Sequence, residues 1–249
     1  MTPLFKKTLC VPIDEIFFSY QGEALFAGLA QIFVRFAGCN IKCNYCDTPK
    51  SRKISSKTKR MNADEILKSI LSLSKKHKCR NISLTGGEPL IYADFLKDFL
   101  PKLKKGRRLR VKPAMTDTES DWTIYLETNG TLPEELKKII NFCDTISMDF
   151  KLASHCGRNF WQEHQQFLKI SGKKAFVKIV ITKTTKLSEI QQSAKIIKTI
   201  NKHIPLIFQP SLDRGKPLLK TLYKFQTTTL KQIPNVRIMP QLHKIFKIK

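Results

Sequence analysis

The chain has 249 residues, of which 41% are hydrophobic, and this combination is typical of one full-sized globular domain and excludes intrinsic disorder. No apolar run approaches the roughly 20 residues of a membrane-spanning helix, and segment 1–10 lacks the features of a secretory signal. We therefore expect a cytoplasmic protein with no membrane partner, in which the seven cysteines indicate metal binding or catalysis rather than disulfides.

The charge is strongly positive, since the chain contains 45 Lys and Arg and only 20 Asp and Glu, which gives a formal net charge of +25. Such a surplus is typical of nucleic-acid binders. However, 35 of these cations are Lys and only 10 are Arg, whereas phosphate and base recognition favours the planar Arg fork. The lysines are spread along the whole chain, so we interpret most of the charge as solvated surface and do not expect a nucleic-acid partner.

Short β-branched or aromatic runs alternate with amphipathic helical patterns. The predicted strands are 31–36, 81–85, 123–127, 145–150, 175–181 and 205–209. The predicted helices are 62–78, with Asn62 as N-cap, then 93–103, 133–142, with Pro133 in the first turn, 158–170, 187–201 and 218–233. This alternation predicts an α/β fold with parallel strands and right-handed crossovers, which places ligands at the carboxyl ends of the strands.

One segment interrupts the alternation. Residues 104–121 begin with the basic run KKGRRLRVK and end with the acidic run TDTESD. We predict an exposed insertion here, and its basic half is the best local candidate for contact with a polyanion.

Three cysteines, Cys39, Cys43 and Cys46, lie within eight residues on the loop after the first predicted strand. Thiolates are soft ligands that select zinc, copper(I) or iron–sulfur clusters. A closed zinc site needs a fourth ligand, which the neighbouring sequence lacks, whereas three thiolates suit a 4Fe-4S cluster with one open iron. The spacing therefore predicts an iron–sulfur site. The other four cysteines are interpreted as small hydrophobic side chains, with Cys156 the weakest case.

The CxxxCxxC loop, with an aromatic residue before its third cysteine, resembles the radical S-adenosylmethionine (SAM) superfamily. The motifs TGGEP at 85–89 and ETNG at 127–130, each at the end of a predicted strand, agree with that resemblance. It implies a partial, open TIM-like βα barrel of about six parallel strands, the radical SAM core. It also implies one 4Fe-4S cluster per chain and SAM, which a flavodoxin- or ferredoxin-type reductant would cleave through the cluster to a 5′-deoxyadenosyl radical. Gly86 and Gly87 would let backbone carbonyls approach the SAM ammonium, and Glu88 would position it.

Four stretches narrow the resemblance to the 7-carboxy-7-deazaguanine synthase family: EIFFSYQGE at 15–23, FVRFAGCN at 33–40, CDT at 46–48 and MPQLHK at 239–244. The resemblance runs from about residue 13 to the end of the chain. It implies conversion of 6-carboxy-5,6,7,8-tetrahydropterin to 7-carboxy-7-deazaguanine with loss of ammonia, in queuosine and 7-deazapurine biosynthesis. The family usually has glycine after Gln-Gly-Glu, where this chain has Ala24.

The resemblance also implies a domain plan and an assembly. Residues 1–249 would form a single domain, with an N-terminal substrate-binding extension at 13–30 and a C-terminal tail at 234–249 that closes the pocket. By analogy with relatives, the protein would be a homodimer.

Roles for particular residues follow from the same resemblance. It places the small-molecule pterin substrate against Tyr20, Gln21, Gly22, Glu23, Arg35, Thr85 and His243. Of these, Glu23, Arg35 and His243 are the catalytic candidates, with Arg35 paired to the substrate carboxylate. It places SAM against Tyr45, Cys46, Asp47, Gly87, Glu88, Thr128, Asn129, Asp149, Phe150, Lys151, Gln209, Pro210, Ser211 and Leu212. Thr48 would ligate a Mg²⁺ ion that bridges to the substrate.

Two other classes of function stay open on the sequence alone. A radical SAM enzyme that activates a glycyl-radical partner protein would share the cysteine loop but would not need the Gln-Gly-Glu segment or the Leu-His-Lys end. An RNA-binding metalloprotein would use the basic surface and would bind RNA in a salt-dependent manner.

Overall fold

A computed structural model describes residues 9–105, 122–211 and 218–247. Over these residues, nine strands form one sheet in the order β3-β1-β2-β4-β5-β6-β7-β8-β9. The strands are β1 (Val11–Tyr20), β2 (Ala30–Phe36), β3 (Lys59–Met61), β4 (Asn81–Gly86), β5 (Thr123–Thr128), β6 (Thr145–Asp149), β7 (Ala175–Ile181), β8 (Leu206–Pro210) and β9 (Val236–Ile238).

The six predicted strands are confirmed as β2 and β4 to β8, and all of them run parallel. Strand β9 adds a further parallel strand, and β1 and β3 pair antiparallel at the other edge. The sequence pattern missed β1 because a register shift between Ile13 and Glu15 breaks its alternation. Within the described ranges, no pairing joins β3 to β9, so the barrel is open as expected.

The helices cover the outer side of the sheet. They are α1 (Ala63–His77), α2 (Ala93–Lys105), α3 (Pro133–Ile139), α4 (Ala153–Cys156), α5 (Trp161–Ser171), α6 (Leu187–Asn201), α7 (Leu219–Leu230) and α8 (Leu242–Phe246). In the described part of the chain, four short 3₁₀ helices lie at Ala24–Phe26, Pro89–Tyr92, Ile140–Phe142 and Gly172–Lys174. The six predicted helices are confirmed, while α4 and α8 were not predicted.

The start of α1 shows why the sequence predicted its helix so closely. The Glu65 backbone N–H donates to Asn62 Oδ1 at 3.0 Å, and the Asn62 backbone N–H donates to the Glu65 carboxylate at 2.8 Å. This capping box pairs two backbone donors that a helix terminus leaves open, so the helix begins there.

Alternation along the strands sorts side chains between the helix layer and the barrel interior. On β2, Ile32, Val34 and Phe36 belong to the large apolar core, as do the matching residues of β4 to β8. The intervening residues face inward, and near the carboxyl ends several of them are polar. At the opposite end, Ala24 packs with Tyr125, Phe176 and Ile207 and fills the interior with apolar side chains.

Two sequence predictions fall partly or wholly beyond the described ranges. The insertion expected at 104–121 begins with the last two residues of α2, and residues 106–121 lie outside the described residues. Leu212 also lies outside them. Within the part of the chain that the structure describes, no helix is both long and apolar enough to cross a membrane.

Candidate active site

A cavity of about 460 Å³ lies where the parallel strands end, and we take it as the candidate active site. Its walls come from the strand ends, the cysteine loop at 39–48, the loop between β1 and β2, and the C-terminal tail. All seven predicted substrate residues line it: Tyr20, Gln21, Gly22, Glu23, Arg35, Thr85 and His243. It is also lined by the predicted cofactor and metal residues Cys39, Cys43, Tyr45, Cys46, Asp47, Thr48, Gly87, Thr128, Asn129, Asp149, Lys151, Gln209 and Ser211.

Three predicted cofactor residues lie behind the cavity wall instead. Phe150 is fully buried and stacks on the His164 ring at 4.3 Å between centroids. Pro210 is buried at the end of β8. Glu88 is also fully buried and turns away from the cavity.

The Glu88 carboxylate ties together the two motifs that follow β4 and β5. It accepts hydrogen bonds from the Leu90 backbone N–H at 3.0 Å, from Thr128 Oγ1 at 2.8 Å and from the Asn129 backbone N–H at 2.7 Å. Burial raises the pKa of this carboxyl to about 7. The structure thus gives Glu88 a role in holding the two loops together, and its expected contact with the SAM ammonium stays a prediction.

Gly86 and Gly87 also have a packing role, in addition to the approach to SAM that the sequence predicts for them. A Cβ on Gly86 would overlap the Phe36 backbone, and a Cβ on Gly87 would overlap the Gly38 carbonyl. The two segments are also joined by hydrogen bonds from Gly87 N to Phe36 O at 3.0 Å and from Glu88 N to Gly38 O at 2.9 Å. Glycine is thus required because the start of the cysteine loop lies directly against this turn.

The cysteine loop brings three free, partly exposed thiols to the cavity wall. This donor set fits a 4Fe-4S cluster that leaves one iron open, because three thiolates are the ligands such a cluster needs. The Sγ atom of Cys43 also lies 3.3 Å from the Sγ atom of Cys156, which is outside the motif.

A chain of buried and half-buried charges crosses the interior from the β1–β2 loop to the cysteine loop. Lys178 on β7 pairs with Glu23 and lies 3.4 Å from Asp149 Oδ2. Lys151 lies 2.8 Å from the same Asp149 oxygen and donates to the Tyr45 hydroxyl at 3.0 Å. Each cation in this chain therefore has an acidic neighbour, which offsets the cost of placing charge in the barrel interior.

The pKa values reflect this pairing. Burial alone would raise the pKa of the Glu23 carboxyl, but Lys178 and a hydrogen bond from Gln241 lower it to about 2. Burial likewise opposes the charged form of Lys178, yet Glu23 and Asp149 raise its pKa above the ordinary value. Both groups are therefore charged at neutral pH.

Two buried acceptors in the site have no partner among the residues that the structure describes. They are Asp149 Oδ1 and Gln209 Oε1, and both residues line the cavity. A buried acceptor without a donor is costly, so these atoms indicate where a ligand donates hydrogen bonds. The amino and hydroxyl groups of SAM are donors of this kind.

The side of the cavity lined by the predicted substrate residues is built around Glu127. Its Oε1 accepts from Gln21 Nε2 at 2.9 Å and from Ser83 Oγ at 2.8 Å, and its Oε2 accepts from Thr85 Oγ1 at 3.1 Å. Nearby, the Arg35 guanidinium carbon lies 5.0 Å from the centroid of the Phe17 ring, in cation–π geometry. These contacts hold the carboxylate and the guanidinium on the cavity wall.

The C-terminal tail contacts the β1–β2 loop and the cysteine loop on this side. The Leu242 backbone N–H donates to Gly22 O at 2.8 Å, and Gln241 Nε2 donates to Glu23 Oε1 at 2.7 Å and to Asp47 Oδ2 at 3.3 Å. Ligand atoms of Glu23, Asp47 and His243 lie within 4.8 Å of one another.

Several residues that line the cavity were not predicted from the sequence. The polar ones on inward strand positions and on the tail are Glu127, Ser147, Lys178, Gln241 and Lys244, and the apolar ones include Phe17 and Phe33. One signal was available: Lys178 is the only charged residue in the run AFVKIVI, and a lone cation in an otherwise apolar strand indicates a buried, paired charge.

Comparisons with known proteins agree with this site. The family model of the radical SAM superfamily matches residues 33–201. A 7-carboxy-7-deazaguanine synthase from Geobacter sulfurreducens is 34% identical over 93% of this chain and 95% of its own length. One from Archaeoglobus fulgidus is 32% identical over 94% of this chain and 97% of its own length.

Solved structures support the fold. The crystal structure of QueE from Escherichia coli superimposes with a TM-score of 0.61 at 19% identity, over 94% of this chain and 95% of that one. SuiB of Streptococcus suis bound to S-adenosylmethionine has a TM-score of 0.53 at 14% identity, over 81% of this chain and 45% of that one.

Fold and cysteine site together define a radical SAM enzyme, a class that uses a 4Fe-4S cluster and SAM. Because the relatives match over almost the whole chain, the chain belongs to the 7-carboxy-7-deazaguanine synthase family of that superfamily.

Proposed function

We propose that the chain converts 6-carboxy-5,6,7,8-tetrahydropterin to 7-carboxy-7-deazaguanine with loss of ammonia, in queuosine and 7-deazapurine biosynthesis. The observation that carries the proposal is a single cavity of about 460 Å³ that joins three free thiols to a guanidinium and a hydrogen-bonded carboxylate. That volume is in the range of small-ligand sites. Membership of the 7-carboxy-7-deazaguanine synthase family supports the same reaction.

On the cofactor side, Cys39, Cys43 and Cys46 would hold the cluster. The chemistry supplied by cluster and SAM together is one-electron cleavage of a sulfonium, which yields a carbon radical able to abstract hydrogen. The protein's part is to orient SAM and exclude side reactions. Asp149 Oδ1 and Gln209 Oε1 are the unpaired acceptors suited to its amino and hydroxyl groups.

On the substrate side, Arg35 and Glu127 are suited to opposite ends of the pterin. The Arg35 fork can bind the carboxylate of the substrate bidentately. The Glu127 carboxylate accepts three protein donors, and a carboxylate offers about four lone-pair directions, so one remains for an N–H of the aminopyrimidine edge. Glu23 and His243 complete this wall.

We also propose a Mg²⁺ ion beside Thr48. Mg²⁺ binds oxygen ligands and usually keeps several waters, and the Asp47 and Glu23 carboxylates line the same cavity as Thr48, with ligand atoms within 4.8 Å of each other. Thr48→Val should raise the Mg²⁺ concentration needed for half-maximal turnover, whereas the exposed Thr184→Val should leave it unchanged.

Four further properties belong to this proposal. We propose one domain over 1–249, with 13–30 and 234–249 as parts that bind substrate and close the pocket, and the single sheet that carries both ends supports this. We further propose a cytoplasmic homodimer that receives electrons from a flavodoxin- or ferredoxin-type protein. Analytical ultracentrifugation of the reconstituted protein tests the dimer.

The deciding experiment is anaerobic turnover. The protein is reconstituted with iron and sulfide and then given dithionite, SAM, Mg²⁺ and 6-carboxytetrahydropterin, and the deazapurine is detected by mass spectrometry. We expect product from the natural chain, a large loss with Arg35→Gln, and little change with the exposed Arg237→Gln. A cluster with SAM cleavage but no deazapurine would contradict the proposed substrate.

A further inference from the structure

Cys156 lies outside the motifs described above, yet its side chain contacts one of the three motif cysteines. It ends α4, on the segment that follows β6, and its Sγ lies 3.3 Å from Cys43 Sγ on the cysteine loop. Two other cysteines outside the motif have ordinary backbone acceptors: Cys79 donates to Ala30 O at 3.3 Å and Cys143 to Ile139 O at 3.6 Å. The Cys156 contact is therefore different in kind, because it is directed at a cluster ligand.

The position of Cys156 is set by packing on both sides of α4. The Asn44 backbone N–H donates to His155 O at 3.0 Å, which ties α4 to the cysteine loop. On the other side, His155 Nε2 lies 3.0 Å from the hydroxyl oxygens of Thr182 and Thr185. The sulfur–sulfur contact is thus held between two anchored segments.

We propose that Cys156 is a positioning residue that donates an S–H···S hydrogen bond to the Cys43 sulfur and thereby raises the reduction potential of the cluster. A thiolate bound to iron carries no proton, so in this pair Cys156 has to be the donor. Reduction adds negative charge that is shared with the sulfur ligands, and a hydrogen bond to a ligand sulfur stabilises that charge. The proposal rests on the superfamily's cluster and is independent of the pterin substrate.

The test is the reduction potential of the reconstituted enzyme without SAM or pterin, measured by a redox titration followed by electron paramagnetic resonance. Cys156→Ala should lower the equilibrium constant for one-electron reduction about tenfold, which corresponds to about 59 mV for a one-electron couple. Cys156→Ser should have a reduction potential close to that of the natural chain, because the serine hydroxyl is still a hydrogen-bond donor. Cys79→Ala, a buried cysteine away from the cluster, is the matched control and should match the natural chain.

Three results would overturn the proposal. The first is an unchanged potential in Cys156→Ala, and the second is the same shift in the Ala and Ser variants, since the contact would then be packing alone. The third is loss of iron from both variants at full protein folding, since Cys156 would then be a ligand. A failure to convert the pterin would leave this measurement unaffected, so the two proposals can fail separately.

Discussion

At the scale of single residues, the interior of the barrel depends on charges that neutralise each other. Glu23 has a side chain that is 16% exposed and Lys178 one that is 11% exposed, and neither could stay ionised there alone. The pair joins the β1–β2 loop to β7, so the ion pair also fixes the loop that carries Gln21 and Gly22. Removing one partner leaves the other charge poorly compensated, which is why such pairs are sensitive to substitution.

The first prediction concerns the pH dependence of this pair. Because the pKa of Glu23 falls from 4.5 to about 2 on folding, its contribution to the free energy of unfolding is present above pH 4.5 and is lost as the pH falls toward 2. That contribution is on the order of 3 kcal/mol. Glu23→Gln should therefore be clearly less stable than the natural chain at pH 7, and the gap should narrow below pH 4.5.

Urea denaturation at a series of pH values measures this gap. Glu134→Gln is the matched control, because Glu134 is 70% exposed in its pair with Lys137 and should change stability by less than about 0.5 kcal/mol at any pH. A gap for Glu23→Gln that stays constant from pH 7 to pH 3 would show that Glu23 is not the titrating group.

A second prediction concerns Ala24, which is fully buried and has a φ of 52°. The left-handed conformation costs a residue with a Cβ about 1–2 kcal/mol, and Ala24→Gly removes that cost. The change also loses a buried methyl, worth about 0.8 kcal/mol, and adds about 0.5–1 kcal/mol of chain entropy. These effects nearly cancel, so stability should stay within about 1 kcal/mol of the natural chain.

Ala194→Gly provides the comparison, because Ala194 is equally buried but lies in α6. It loses the buried methyl and adds the same chain entropy without any relief of strain, so it should cost about 1.3–1.8 kcal/mol in thermal or urea denaturation. Equal losses in the two variants would mean that the backbone at position 24 is not strained.

At the scale of secondary-structure elements, the alternation of the strands builds the site. Outward residues such as Val34 and Leu84 fill the core under the helices, and inward residues such as Arg35, Thr85 and Glu127 reach the cavity. Neighbouring strands place these in register, since Arg35 pairs with Thr85 across β2 and β4. A parallel sheet therefore collects polar groups from distant segments at one end.

The third prediction concerns the junction between β4 and the cysteine loop. Gly87→Ala places a methyl where the Gly38 carbonyl lies, so the cysteine loop has to move and the iron content after reconstitution should fall well below four per chain. Gly172→Ala meets nothing within 4 Å and has only the strain of a φ of +56°, about 1–2 kcal/mol, so it should retain full iron content.

Iron and sulfide analysis with circular dichroism of both variants tests this. Full iron content in Gly87→Ala, with the fold intact, would show that the close approach of the two backbones is dispensable for cluster binding.

At the scale of the whole molecule, two segments that lie far apart in the chain meet at the cavity of the open barrel. The Gly22 region comes from the antiparallel edge of the sheet, and the tail follows β9 at the opposite edge. They meet through the Leu242–Gly22 backbone hydrogen bond and through Gln241. Most of the net charge of +25 is unrelated to this contact, because the cavity wall includes only a few of the cations.

The fourth prediction is that Gln241→Ala weakens substrate binding without affecting the cluster. The variant loses hydrogen bonds to two carboxylates, and water can replace part of them, so KM for the pterin should rise about tenfold, or about 1.4 kcal/mol. Steady-state kinetics and iron content together test this.

Gln226→Ala is the matched control, because that side chain donates to Val236 O at the start of β9, does not line the cavity and should leave KM unchanged. A Gln241→Ala enzyme with the KM of the natural chain, or with reduced iron content, would contradict a closing role for the tail.

Most of the architecture was predictable because its signals are local. The six central strands and six main helices follow from periodicity, and Asn62 and Pro133 mark the starts of two helices by their own chemistry. The edge strands β1, β3 and β9 were missed, since two of them have only three residues and β1 carries a bulge. Periodicity needs several regular turns or alternations to be visible.

The sequence by itself determined the chemistry of this protein: three closely spaced thiols on one loop, the glycine turn beside them, and the motifs that relate the chain to its family. Only the tertiary structure decided that the Glu88 carboxylate ties the turn after β4 to the turn after β5, that Lys178 pairs with Glu23 across 155 residues, and that Gln241 reaches the same carboxylate across 218. The physical reason is the separation in sequence between the residues that decide each feature. Ligand spacing and backbone conformation depend on neighbours in the chain, whereas the partner of a buried charge depends on which strands meet inside the barrel.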